Sequence, residues 1–154
     1  MAVQMRGLER GVPNPIISFE RAHTVERSLQ IRSVWQRKGE LARAWWNMWL
    51  DFVFIAAYTA FAVAVLSWST SAMRHRRGIA AAGTILAWIA FVPATLDVIE
   101  DVALLRILAF GALKDNTLPA LAYWCATVKF AVGTGLLAVG LPYALWAFAH
   151  ARRS

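Results

Sequence analysis

The sequence predicts an all-α integral membrane helical bundle: three long transmembrane helices preceded by a basic N-terminal arm. Three observations carry that reading. Hydrophobic residues make up 59% of the 154-residue chain, against ~45–50% for a soluble domain. The excess gathers in three segments, each longer than the ~20 apolar residues that cross a bilayer. Tryptophan, tyrosine and basic residues collect at the ends of those segments, where headgroups and aromatic belts place them.

The chain begins with an irregular stretch over 1–18, which carries Gly7, Gly11, Pro13 and Pro15. Next comes "FERAHTVERSLQIRSVWQRKG", residues 19–39, where Val25, Leu29, Ile31 and Trp35 stand among charges. This is a moderately amphipathic helix lying on a membrane surface, or else a solvated arm with no fixed position. Residues 1–40 therefore form the basic arm and 41–154 the transmembrane bundle.

The spans are expected at 41–69, 78–113 and 118–150. Their breaks are chemical: "STSAMRHRRG" and "LKDNTLP" supply turn formers and charges, with Pro119 at a helix start. A four-span division would cut one segment into pieces too short to cross. Pro93 and Pro142 are candidate kink points, because each removes a backbone donor within its span. Trp45, Trp46, Trp49, Tyr123 and Trp124 are expected at one interface, and Trp68, Tyr143 and Trp146 at the other.

The net charge of +7 is unevenly spread: residues 1–43 hold eight Lys/Arg against four acids. Further basic residues cluster at "RHRR" (74–77) and in the final "ARRS". Basic flanks beside apolar spans point to membrane lipids as partners. Nucleic acid is not expected, since no binding motif accompanies the charge. The tail tips the orientation toward a cytoplasmic N-terminus. The first apolar stretch starts near Ala44 and is too long for a signal peptide. The one cysteine, Cys125, reads as a small core residue.

The chemistry-bearing stretch is "ATLDVIEDVALLRIL". Asp97, Glu100 and Asp101 stand at i, i+3 and i+4, so one helix face carries all three carboxylates. Arg106 points elsewhere. Asp51 lies eighteen residues before Ser69, and Asp97 eighteen after Ile79, so antiparallel spans bring them to similar depth. By the same count across the next turn, Asp101 and Lys129 are level. Asp51, Asp97, Glu100, Asp101 and Lys129 thus share one slab, with Tyr58 two turns beyond Asp51 and Thr127 near Lys129. An acid at mid-membrane costs about 2.5–3.5 kcal/mol, so these groups face inward or toward a partner. The slab is either a packing device of ion pairs and hydrogen bonds or a working site.

Small residues favour close helix contact: Ala56, Ala60 and Ala64 on the first span, Ala131, Gly135 and Gly140 on the third. The spans contain no histidine except at their ends, with His23, His75 and His150 outside or terminal. No haem, zinc or other metal site and no cofactor is expected. No nucleophile motif or phosphate-binding glycine loop is present.

The pairing of "LDFVFIAAY" with "LDVIEDVALL" resembles small uncharacterised bacterial multi-span membrane proteins, in which an Asp–aromatic–Tyr helix precedes an Asp-x-x-Glu helix. The resemblance covers about 51–129, implies a bacterial inner-membrane location and implies no activity. A remoter similarity is to the emopamil-binding and sigma-2 receptor group, four-span bundles whose intramembrane acids meet a cationic ligand or carbocation. No residue role carries over.

The expected function is a non-enzymatic membrane subunit packing in a larger complex or homo-oligomer. The alternatives are an enzyme or binder acting on a lipid-soluble molecule, and a component of a proton or cation pathway. In the enzyme or binder reading, Asp97, Glu100, Asp101 and Asp51 would be the catalytic candidates, with Tyr58 and Lys129 as binding residues on the wall of the pocket.

Overall fold

A computed structural model of the chain describes residues 15–111 and 115–152. It is helical throughout, with no strand among the described residues. The elements are α1 (Pro15–Glu20), α2 (Val25–Lys38), α3 (Leu41–Ala72), α4 (Arg77–Ile89), α5 (Phe91–Phe110) and α6 (Thr117–Ala151). Three stretches are long and apolar enough to cross a membrane: Leu41–Ala72, Arg77–Phe110 and Thr117–Ala151. By that length and composition the chain is a membrane protein, a helical bundle with three candidate spans. Their bounds fall within three residues of those expected from sequence.

The second span is two helices rather than one. It breaks at Ala90, three residues before Pro93. The cause is the proline, which cannot donate to the carbonyl of Ile89 and whose ring crowds that carbonyl. Ala90 itself still donates to Leu86 O at 3.1 Å, so the first helix closes normally. Pro142, the other candidate kink, lies inside a helix that runs unbroken to Ala151. Residues 15–18, expected to be irregular, belong to α1, with Pro15 in the first-turn position that needs no N–H. The rest of that irregular stretch, 1–14, lies outside the described residues.

The chain divides into two compact units, 1–49 with 100–126, and 50–99 with 127–154. In the first, α2 starts at Thr24, whose side chain accepts from the Arg27 N–H, and ends at Gly39 in the left-handed conformation (φ 69°). Its inner face buries Ser28, Ile31 and Trp35. Phe19 meets Trp35 edge-on at 5.1 Å. Phe19, Ile31 and Trp35 join one core with Met48, Leu104, Ile107, Leu108 and Ala122. Two polar contacts fix the arm: Val25 N donates to Asn116 Oδ1 at 2.8 Å, and Arg32 Nε donates to Leu108 O at 2.9 Å. The latter caps a carbonyl at the end of α5, beside Gly111 (φ 60°). The chain's own spans therefore cover the apolar side of α2, an arrangement that neither sequence reading of the arm included.

In the second unit three helices meet at Gly83. A Cβ there would collide with Tyr143 Oη and Thr70 Oγ1. Nearby, Tyr143 Oη donates to Ile79 O at 3.3 Å.

Candidate functional site: a carboxylate held from both sides

The three-acid stretch folds as its spacing requires. Ala94, Asp97, Glu100, Asp101, Leu104, Ile107 and Leu108 are all buried, one continuous stripe along α5 at intervals of three and four. Arg106 lies off that stripe and is exposed.

Asp97 carries the geometry of the second unit. Its Oδ1 accepts from Lys129 Nζ on α6, and its Oδ2 accepts from the Tyr58 hydroxyl on α3 at 2.6 Å. One carboxylate thus joins all three spans. The Lys129 and Asp97 side chains are 11% and 13% exposed. Lys129 Nζ also lies 5.3 Å from the Phe130 ring. In hydrocarbon each of these charges alone would be costly, and together they form a neutral, hydrogen-bonded pair.

The sequence register made Lys129 level with Asp101. The bond goes to Asp97, one helical turn earlier on the same face. Asp51, on α3 in the same unit, is half-buried. Glu100 and Asp101 belong to the first unit, where both are fully buried within the α5 stripe. Of the sequence candidates, then, Tyr58, Asp97 and Lys129 are brought into direct contact. Thr127 is exposed on α6.

Two grooves on the second unit bear on the site. The larger, about 480 Å3, lies between α3 and α5. It is walled by apolar and small side chains, among them Phe52, Ala56, Ala60 and Ala94, with Thr59 and Thr95 as its polar residues. Neither Asp97 nor Tyr58 nor Lys129 lines it. Thr95 Oγ1 donates to the carbonyl of Phe91 in its own helix at 2.9 Å. The second groove, about 380 Å3, has Ser67, Thr70, Ser71 and Thr84 on its wall. Thr70, Ser71 and Thr84 each donate to a carbonyl one turn back, at 2.8, 3.0 and 3.2 Å. Hydroxyls bonded into their own helix present no converging donors to a ligand. Among the described residues, no three His, Cys, Asp or Glu side chains gather where they could hold a metal ion.

Comparison with protein-family models, with curated proteins and with solved structures finds no match.

Proposed function

We propose that the protein is a non-enzymatic integral membrane subunit, one that packs its helices against other membrane proteins or further copies of itself. The observation that supports this most is the closure of Asp97. Both of its oxygens bond within the chain, to Lys129 and to Tyr58, and none of the three groups lines either of the two grooves described above. An acid poised for proton transfer has to reach its substrate within hydrogen-bond distance. An acid already held from two sides suits a clamp that fixes helix packing.

The outer surfaces fit the same reading. The first span sets Ala56, Ala60 and Ala64 in a small-residue row, while Phe61, Trp88 and Leu137 are 71%, 72% and 68% exposed. We place the protein in a bacterial inner membrane, with the basic arm on the cytoplasmic side. Cysteine-accessibility mapping at Ser71 and Asn116 checks the topology: labelling from opposite sides is expected, and labelling from one side contradicts three crossings.

Pull-down from native membranes with mass spectrometry tests the assembly. Co-purifying membrane proteins, or a homo-oligomer that survives mild extraction, support it. A stable lone monomer overturns it.

A second reading, a binder of a lipid-soluble molecule, draws on the apolar groove between α3 and α5. It predicts a hydrophobic compound retained through purification and lost when the alanines of the groove are enlarged, as in Ala60→Leu.

A further inference from the structure

We propose that the turn between α3 and α4, together with the end of α6, forms a binding site for the headgroup of an anionic phospholipid. The proposal is independent of whether the chain is a subunit or a binder.

The first observation is charge without counter-charge. No Asp or Glu occurs in residues 52–96 or 130–154. Yet Arg74, His75 and Arg76 lie in the turn, Arg77 begins α4, His150 stands in the last turn of α6 and Arg152 just follows it. The fold brings the two groups together: the His75 and His150 rings stack at 5.5 Å with 18° between their planes. Arg74, Arg76, Arg77 and Arg152 are all exposed.

The second observation is what holds the arginines. Arg76 lies over the Trp146 ring at 5.5 Å, and Arg152 over Phe148 at 4.2 Å. Trp146 in turn stacks on His150 at 6.0 Å. A ring orients a guanidinium through its face and leaves the N–H fork available. Lys129 differs, since Asp97 takes up its charge. Among the described residues, neither Arg76 nor Arg152 makes an ion pair or a side-chain hydrogen bond. A planar fork presented in this way matches the oxygens of a phosphate.

The third observation selects the occupant. The basic cluster is continuous with apolar helix surface: Leu141, Leu145 and Phe148 are 56%, 60% and 43% exposed. Trp68 packs on Phe148 at 6.0 Å, extending that wall onto α3. Inorganic phosphate or nucleic acid would use the arginines and leave the wall uncovered. A phospholipid uses both, with its phosphate on the guanidiniums and its acyl chains along α6.

The test takes the full chain in neutral detergent and counts bound lipid by native mass spectrometry. Phosphatidylglycerol is titrated against phosphatidylcholine, with inorganic phosphate as competitor. Selective retention of phosphatidylglycerol is expected, with no displacement by phosphate at matched ionic strength. The double variant Arg76→Gln/Arg152→Gln should weaken that binding on the order of thirtyfold, at about one surface-charge contribution for each arginine. Arg37→Gln/Lys38→Gln, at the end of α2, should leave it unchanged. If the rim variant does not fold, raising the salt on the unaltered protein serves instead, because screening at 1 M shortens the reach of charge to about 3 Å. The preference should then fall away. Equal retention of both lipids, displacement by phosphate alone, or a preference indifferent to salt overturns the proposal.

Discussion

The Tyr58 hydroxyl donates to the one Asp97 oxygen that Lys129 does not take, at 2.6 Å. The pair links α3 to α5 across thirty-nine residues of sequence. A carboxylate with both oxygens occupied has its orientation set, and with it the relative rotation of three helices. Tyr58→Phe deletes only the donor. The expected loss is about 1–2 kcal/mol in unfolding stability, the range for a bond to a charged group tempered by what membrane hydrogen bonds deliver. Thermal unfolding in lipid nanodiscs measures it. No change would mean that the phenol is incidental to packing.

The ion pair behaves differently from its separate members. Asp97→Asn leaves the Lys129 ammonium in hydrocarbon without its counter-charge, and Lys129→Met strands the carboxylate in the same way. Each single change is expected to cost about 3–5 kcal/mol. The double change Asp97→Asn/Lys129→Met removes both charges and should recover most of that loss. A double-mutant cycle on unfolding free energies reads the coupling directly. If Asp97→Asn alone is silent while Lys129→Met is not, Lys129 takes its main support elsewhere and the clamp model fails.

How far these relationships were legible follows from their range along the chain. The i, i+3, i+4 spacing put Asp97, Glu100 and Asp101 on one face, and all three are buried. That rule is local and needs no knowledge of the neighbouring helices. Which acid meets Lys129 depends on the length of the turn before α6, and a count of residues left that open by one helical turn. Pro93 announced an interruption, and the structure puts it at Ala90, next to the Ile89 carbonyl that the proline deprives of a partner four residues upstream. The docking of α2 left no local trace. Arg32 reaches a carbonyl seventy-six residues away, and an arginine on an amphipathic helix reads as a solvated charge until its partner is known. The basic cluster was half visible: "RHRR" and "ARRS" were plain in the sequence, and the two crossings between them return the chain to the same end.

Asp115, in the turn before α6, lies outside the spans and offers a pH signature. Hydrogen bonds from Thr117, first its side chain and then its backbone N–H (3.1 Å), hold the carboxyl below its ordinary range. A depressed folded-state pKa means stabilisation that is present above the unfolded value and lost as pH falls through the folded one. The start of α6 should therefore loosen only in acid, below the usual carboxylate range. Carboxyl-carbon NMR titration checks this. Thr117→Val removes the larger cause and should move the titration upward without restoring it fully, since the backbone donor remains. An unchanged titration would mean that the side chain plays no part.

Among the described glycines, Gly83 is the one where an added Cβ would meet the nearest atoms. Its missing Cβ makes room for Tyr143 Oη and Thr70 Oγ1. Neither neighbour can retreat without loss. The tyrosine hydroxyl donates to Ile79 O at 3.3 Å, and the threonine hydroxyl donates to Leu66 O at 2.8 Å. Gly83→Ala adds the smallest possible side chain and should cost about 1–3 kcal/mol, as overpacking does in close-fitted interiors. The helix itself would gain from the exchange, because alanine is the better helix former by about 1 kcal/mol. The two effects oppose each other, so the sign of the measured change decides which governs. The companion variant Gly83→Ala/Tyr143→Phe separates them. Removing the phenolic oxygen takes away the nearest clashing atom and should restore part of the lost stability, although the ring carbon Cζ still lies 2.7 Å from the added Cβ and the bond to Ile79 is lost. If Gly83→Ala stabilises the protein outright, the contact with Tyr143 and Thr70 does not limit packing at this point.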